Sequence, residues 1–145
     1  MEKFIMPVQI RWSDLDPNFH LRHSVYYDWG AMCRIEFLGQ HGLTSELMIK
    51  QQFGPILFRE ECLFKKEIRL NDKITIDIEL LKSRKDFSRW SIQHTILKNG
   101  ENVCAIVIVD GAWIDTTKRK LTVPPELIAD IFGKMTAAEK FEWTM

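Results

Sequence analysis

The sequence predicts an α+β fold in which one long helix lies against a curved antiparallel sheet. Two observations carry that expectation. Between about Ser24 and His41, Val25, Tyr26, Trp29, Met32, Cys33 and Phe37 fall on one face at helical spacing. From Ile56 onward come four strand-like runs with no second long helix between them, and a sheet patterned in this way needs a helix to cover its apolar face.

The elements follow in order. Val8, Ile10 and Trp12 alternate with Gln9, Arg11 and Ser13, which reads as a half-buried first strand. Pro7 has no N–H to donate, so this strand starts near it or lies at a sheet edge. The long helix ends near Gly39 or Gly42, and a shorter one begins at Ser45, capped by Thr44 or Ser45. Ile56 to Ile68 is one long strand, and Ile74, Ile76, Ile78 and Leu80 alternate with polar residues in a second. Phe87 to Leu97 and Val103 to Ile114 are two more, joined by Lys98-Asn99-Gly100-Glu101, where Asn-Gly tolerates the positive φ of a tight hairpin. Pro124-Pro125-Glu126 opens a C-terminal helix carrying Leu127, Ile128, Ile131 and Phe132. The tail from Thr136 to Met145 is expected to be helical or frayed.

Composition bounds the setting. At 145 residues the chain is expected to be a single domain over 1–145. Hydrophobic content of 46% and charged content of 28% are ordinary for a globular protein, and 20 basic residues balance 20 acidic ones. That balance offers no bulk attraction to nucleic acid or to an anionic membrane. Cys33, Cys62 and Cys104 are odd in number and widely spaced, which suits buried thiols better than a disulfide frame or zinc site. No signal-peptide pattern opens the chain, and its longest apolar run, Val103 to Val109, is too short to span a bilayer. A cytoplasmic protein is the expectation.

The chemistry concentrates in Arg11-Trp12-Ser13-Asp14-Leu15-Asp16-Pro17-Asn18-Phe19-His20 and the following Val25-Tyr26-Tyr27. Two carboxylates, a proline turn and a histidine precede the helix, an order that can set a carboxylate beside free helix N–H groups. Asp14 and Asp16 share a face if the strand continues; if the chain turns at Pro17, one of them closes an Asx turn or caps the helix. No third ligand stands at a metal-binding spacing.

This segment resembles the N-terminal signature of hotdog-fold acyl-CoA thioesterases of the 4-hydroxybenzoyl-CoA thioesterase type. Arg11, Trp12, Asp14, Asp16, His20 and Tyr26 match the family pattern in register, and Arg34 and Gly42 sit at familiar positions. Phe19 stands where the family usually has glycine, Arg22 and His23 where paired asparagines are common, and Ala31 where many relatives carry an acid. The resemblance implies a hotdog fold and hydrolysis of an acyl-CoA thioester, with CoA as part of the substrate and no separate cofactor or metal. It implies Asp16 as the catalytic carboxylate, nucleophile or base, with backbone N–H groups of the long helix polarising the carbonyl.

It further implies a catalytic part for His20, which could orient Asp16 or a water or could equally bond loop backbone. His23 at the helix start is a further catalytic candidate, and Tyr26 lines the substrate. Arg84 and Lys85, in a basic turn that otherwise reads as solvated, would bind the CoA phosphates. Glu36, expected within the apolar stripe of the helix, is the rival carboxylate, and His94, on an apolar strand face, reads as a satisfied core residue. A homodimer or homotetramer is implied, since a lone subunit leaves a sheet edge open. A non-catalytic acyl-CoA or acyl-carrier binder on the same fold is the competing expectation.

Overall fold

The computed structural model describes residues 2–145. Eight strands, β1 (Ile5–Val8), β2 (Phe53–Phe64), β3 (Ile74–Asp77), β4 (Glu79–Arg84), β5 (Arg89–Lys98), β6 (Asn102–Asp115), β7 (Lys120–Leu121) and β8 (Ala137–Thr144), form one sheet. Three α-helices, α1 (His23–Gln40), α2 (Ser45–Gln51) and α3 (Glu126–Phe132), accompany it. β6 lies between β2 and β5, and β5 pairs on its other side with β3 and β4. β1 covers β3, and β8 covers β4 in parallel.

β3 and β4 run along β5 in one register, as the single alternating stretch predicts, but the ladder is interrupted at Ile78. There side chains replace backbone partners. The Asp77 carboxylate accepts from the Thr95 N–H at 2.7 Å, and His94 Nδ1 lies 2.8 Å from the Asp77 carbonyl. The β5–β6 hairpin turns through Asn99 and Gly100 at φ 54° and 75°, the positive values expected of Asn-Gly.

The inward residues of the sheet, among them Ile76, Ile92, Ile96, Val107 and Val109, are buried against the α1 stripe of Val25, Tyr26, Trp29, Cys33 and Phe37. Each such side chain contributes about 1.5–3 kcal/mol by leaving water. Two residues depart from the predicted stripe: Met32 is half exposed and Leu38 is buried. The chain folds back under the last turn of α1, with the Leu43 N–H donating to the Leu38 carbonyl at 2.9 Å, and so covers a residue the helical period leaves outside. Thr44 caps α2, its hydroxyl accepting from the Leu47 N–H at 3.1 Å.

Three expectations are corrected. The first strand ends at Val8, and Trp12 sits 68% exposed in a 3-10 turn, because Arg11 and Asp14 bond each other and coil the chain. The long second strand runs from Phe53 to Phe64 and stops before Ile68, where Lys65 and Lys66 both donate N–H to the Cys104 carbonyl. The tail is neither helix nor frayed: it is β8, held by β4 despite its helix-favouring Ala, Glu and Lys residues. β2 pairs with β6 alone among the described residues, so its other edge is open. All three cysteines are free, and no helix is long and apolar enough to cross a membrane among the described residues.

Candidate functional site

The loop before α1 separates the two aspartates. Asp14 is buried in the 3-10 turn, where its carboxylate accepts from the Arg11 backbone N–H at 2.9 Å and from Arg11 Nη2 at 2.8 Å. Those bonds from Arg11 hold the Asp14 carboxyl below the usual carboxylate range. Asp14 therefore shapes the loop, and the Arg22 N–H donating to its carbonyl at 2.7 Å ties the loop to the start of α1.

Asp16 lies beyond the turn, on a different face. Its Oδ1 accepts from the backbone N–H groups of Asn18 at 2.8 Å and His20 at 3.1 Å, which makes the Asx turn that Pro17 foreshadows. Its Oδ2 accepts no hydrogen bond among the described residues. The turn needs a left-handed residue, and Phe19 supplies it at φ 63°, a conformation costing a non-glycine residue about 1 kcal/mol or more. Contact between the Phe19 and Trp12 rings, centroids 6.0 Å apart, and the Phe19 N–H bonded to the Asp16 carbonyl at 2.9 Å hold it there. α1 then starts with no side-chain cap, leaving the N–H groups of its first residues, His23 and Ser24, without a partner in the loop.

Asp16, His20, His23 and Tyr26 line one open cleft of about 400 Å³. Four predicted residues are thus brought together. Tyr26 is buried in its wall, edge-on to Phe64 with centroids 4.9 Å apart, and burial pushes its hydroxyl up to about 12. His20 does not orient Asp16 through its ring: Nε2 lies 2.8 Å from a Glu67 carboxylate oxygen, and the other Glu67 oxygen accepts from Arg69 at 2.8 Å. Sequence reasoning missed the opposite wall, Phe64, Lys65, Lys66 and Glu67. The sequence places them at the end of the long Ile56–Ile68 strand, and only the β2–β6 register and the Leu21 N–H to Ile68 carbonyl bond carry them to the loop.

Arg84 and Lys85 are not in this cleft. Ser83 pairs with Trp90 on β5, whereas the cleft wall Phe64 pairs with Ala105, which pairs with Ile96. The stretch of β5 from Trp90 to Ile96 spans about 20 Å. The placing of Glu36 is corrected: it is exposed on α1, outside the apolar stripe in which its spacing put it, and outside the cleft. His94 is fully buried, as its strand face predicts. Among the described residues no group of three or more His, Cys, Asp or Glu side chains is placed to hold a metal ion.

Residues 10–132 match the family model described as the thioesterase-like superfamily. Similar solved structures include a hypothetical protein from Staphylococcus aureus in complex with CoA, at 18% identity over 96% of this chain and 91% of that one, TM-score 0.83. A 1,4-dihydroxy-2-naphthoyl-CoA thioesterase from Synechocystis is 13% identical over 92% of this chain and 97% of that one, TM-score 0.81. A thioesterase from Thermus thermophilus complexed with coenzyme A and Zn is 20% identical over 90% of this chain and 94% of that one, TM-score 0.74. Likeness at these identities is one of fold, and the fold is the hotdog. No curated protein matches the chain.

Proposed function

The chain belongs to the thioesterase-like superfamily, and we propose on that premise that it hydrolyses acyl-CoA thioesters to a carboxylic acid and CoA. One observation carries the reading: Asp16, with Oδ1 fixed by two backbone N–H groups and Oδ2 free, shares a cleft with the uncapped start of α1. A carbonyl oxygen directed at the His23 and Ser24 N–H groups would gain negative charge where the helix terminus is partly positive. Oδ2 then takes a proton from a water whose oxygen attacks the carbonyl carbon, or itself attacks to give an anhydride that water opens. In both courses the C–S bond breaks, the thiolate leaves with the electron pair, and CoA is reprotonated from solvent.

His23 borders the reacting group and Tyr26 forms the apolar wall. His20, held by Glu67, keeps the Asx turn in place through its backbone N–H rather than acting on the substrate. Arg84 and Lys85 remain the phosphate-binding pair in this reading, and their distance from the cleft supports their coming from a second copy. The open β2 edge offers the joint, and two copies paired there form the smallest complete assembly; two such dimers would give a tetramer.

The test is a panel of acyl-CoA thioesters hydrolysed by wild type and Asp16→Asn. Wild-type turnover with a loss of about a hundredfold or more in Asp16→Asn is expected. Equal rates in the two proteins remove Asp16 from catalysis. Acyl-CoA binding without turnover in wild type favours the non-catalytic binder, a reading that the structural part of Oδ1 in the turn would suit.

A further inference from the structure

The turn between β4 and β5 carries two cations that no acid offsets. Arg84 and Lys85 form no ion pair among the described residues. Asp86, the one acid of the turn, spends Oδ1 on Ser88, accepting from its N–H at 2.9 Å and its hydroxyl at 2.6 Å. The turn closes with the Phe87 N–H donating to the Arg84 carbonyl at 3.0 Å. Phe87 stands at φ 61°, a left-handed position that hairpins of this kind usually give to glycine.

Nothing within the turn holds a phenylalanine in that conformation. Its ring is held from outside, edge-on to Phe132 of α3 with centroids 5.6 Å apart and to Trp143 of β8 at 5.9 Å. β8 also grips the first residue of the turn. Arg84 pairs with Thr144 through the backbone, and its Nε donates to the Met145 carbonyl at 3.1 Å. That bond fixes the plane of the guanidinium and leaves its Nη end for an anion.

A strained residue persists where its surroundings over-determine it, and such residues gather at ligand clamps. We infer that Phe87 is a positioning residue for anion binding: Phe132 and Trp143 hold it left-handed, and the turn so fixed presents Arg84 and Lys85 to the phosphates of the CoA nucleotide. Phosphate as the anion rests on the reading of Arg84 and Lys85 given above; the clamp on the turn does not. A turn fixed in advance loses less freedom when phosphate arrives, so the clamp acts on affinity. The bond-breaking carboxylate, about 20 Å of strand away in the same chain, is not part of it. The C-terminal segment that carries α3 and β8 thereby serves the nucleotide.

Calorimetric titration of the full chain with CoA and with adenosine 3′,5′-bisphosphate tests this without any hydrolysis. The double variant Arg84→Ala with Lys85→Ala sets the scale, with an expected loss of about tenfold or more for either ligand. Phe87→Ala, and Trp143→Ala at a half-exposed residue, should each weaken both ligands about three- to tenfold. Phe87→Gly separates backbone from packing. Glycine takes a left-handed φ without strain, so this variant should bind more tightly than Phe87→Ala although it leaves the larger void. Added to the double variant, Trp143→Ala should weaken binding no further. In hydrolysis of an acyl-CoA the Phe87→Ala loss should fall on KM and spare kcat.

Wild-type affinity in both Phe87→Ala and Trp143→Ala, or Phe87→Gly binding no more tightly than Phe87→Ala, overturns the inference. A loss confined to the double variant keeps the phosphate reading and sinks the clamp alone. Unchanged affinity in the double variant removes the phosphate reading and the inference with it. CoA binding weakened as expected in a protein that hydrolyses no thioester sinks the thioesterase and leaves the clamp standing.

Discussion

His94 is neutral because the fold makes it so. Burial, then the neighbouring Arg34 charge, pushes its pKa down to about 3, against about 6.5 in an unfolded chain. The unfolded state takes up a proton as pH falls below about 6.5, and the folded state does not until near 3, so stability declines through that window. The slope cannot exceed about 1.4 kcal/mol per pH unit from this one group. His94→Gln keeps an acceptor for Arg34 and removes the titration. Urea unfolding at several pH values between about 6 and 4 should show wild type losing more stability than the variant, while the carboxylates common to both cancel in the difference. Equal losses would mean that His94 is not held neutral. At this scale the sequence was a fair guide: the strand alternation already put His94 inside. Spacing alone could not separate Asp14 from Asp16, which only the family resemblance did, because the separation depends on Arg11 coiling the chain where period-two alternation reads as strand.

The elements owe their positions to contacts that lie far apart in sequence, and Gly111 on β6 shows how tightly they close. A Cβ there would come within 2.4 Å of Trp90 Cη2 and 2.8 Å of the Ile56 carbonyl, side chain on one strand and backbone on another. Gly111→Ala must therefore push β5 or β2 away from β6. A loss of about 1–3 kcal/mol or more is expected, read as a lower urea midpoint with unchanged slope. An unaltered midpoint would show that both Trp90 and the Ile56 backbone give way without cost. The long helix, the Asn-Gly hairpin and the strand alternations were legible because each is written in local spacing. β8 was not, since its pairing to β4 comes from across the chain and opposes the local preference of Ala137, Ala138, Glu139 and Lys140. The wall of the cleft at Lys65–Glu67 was hidden for the same reason.

At the scale of the whole molecule, one copy holds the parts of the proposed reaction in two places. Asp16 and the start of α1 face one cleft, and Arg84 and Lys85 stand about 20 Å of strand away. If a second copy supplies the phosphate-binding pair, each site is built from two chains and the two defects lie in different chains. Asp16→Asn spoils the carboxylate of its own cleft; the double variant Arg84→Ala with Lys85→Ala spoils the phosphate contact in its neighbour's. Each protein alone should hydrolyse acyl-CoA poorly, the first through kcat and the second through KM. Mixed after unfolding and refolding, half of the dimers pair unlike chains, and one of the two sites in each such dimer has both parts intact. The mixture should regain about a quarter of wild-type activity at low substrate. If Asp16 and the basic pair of the same chain met in one site, every mixed dimer would hold two defective sites, and no activity beyond the sum of the parents would return.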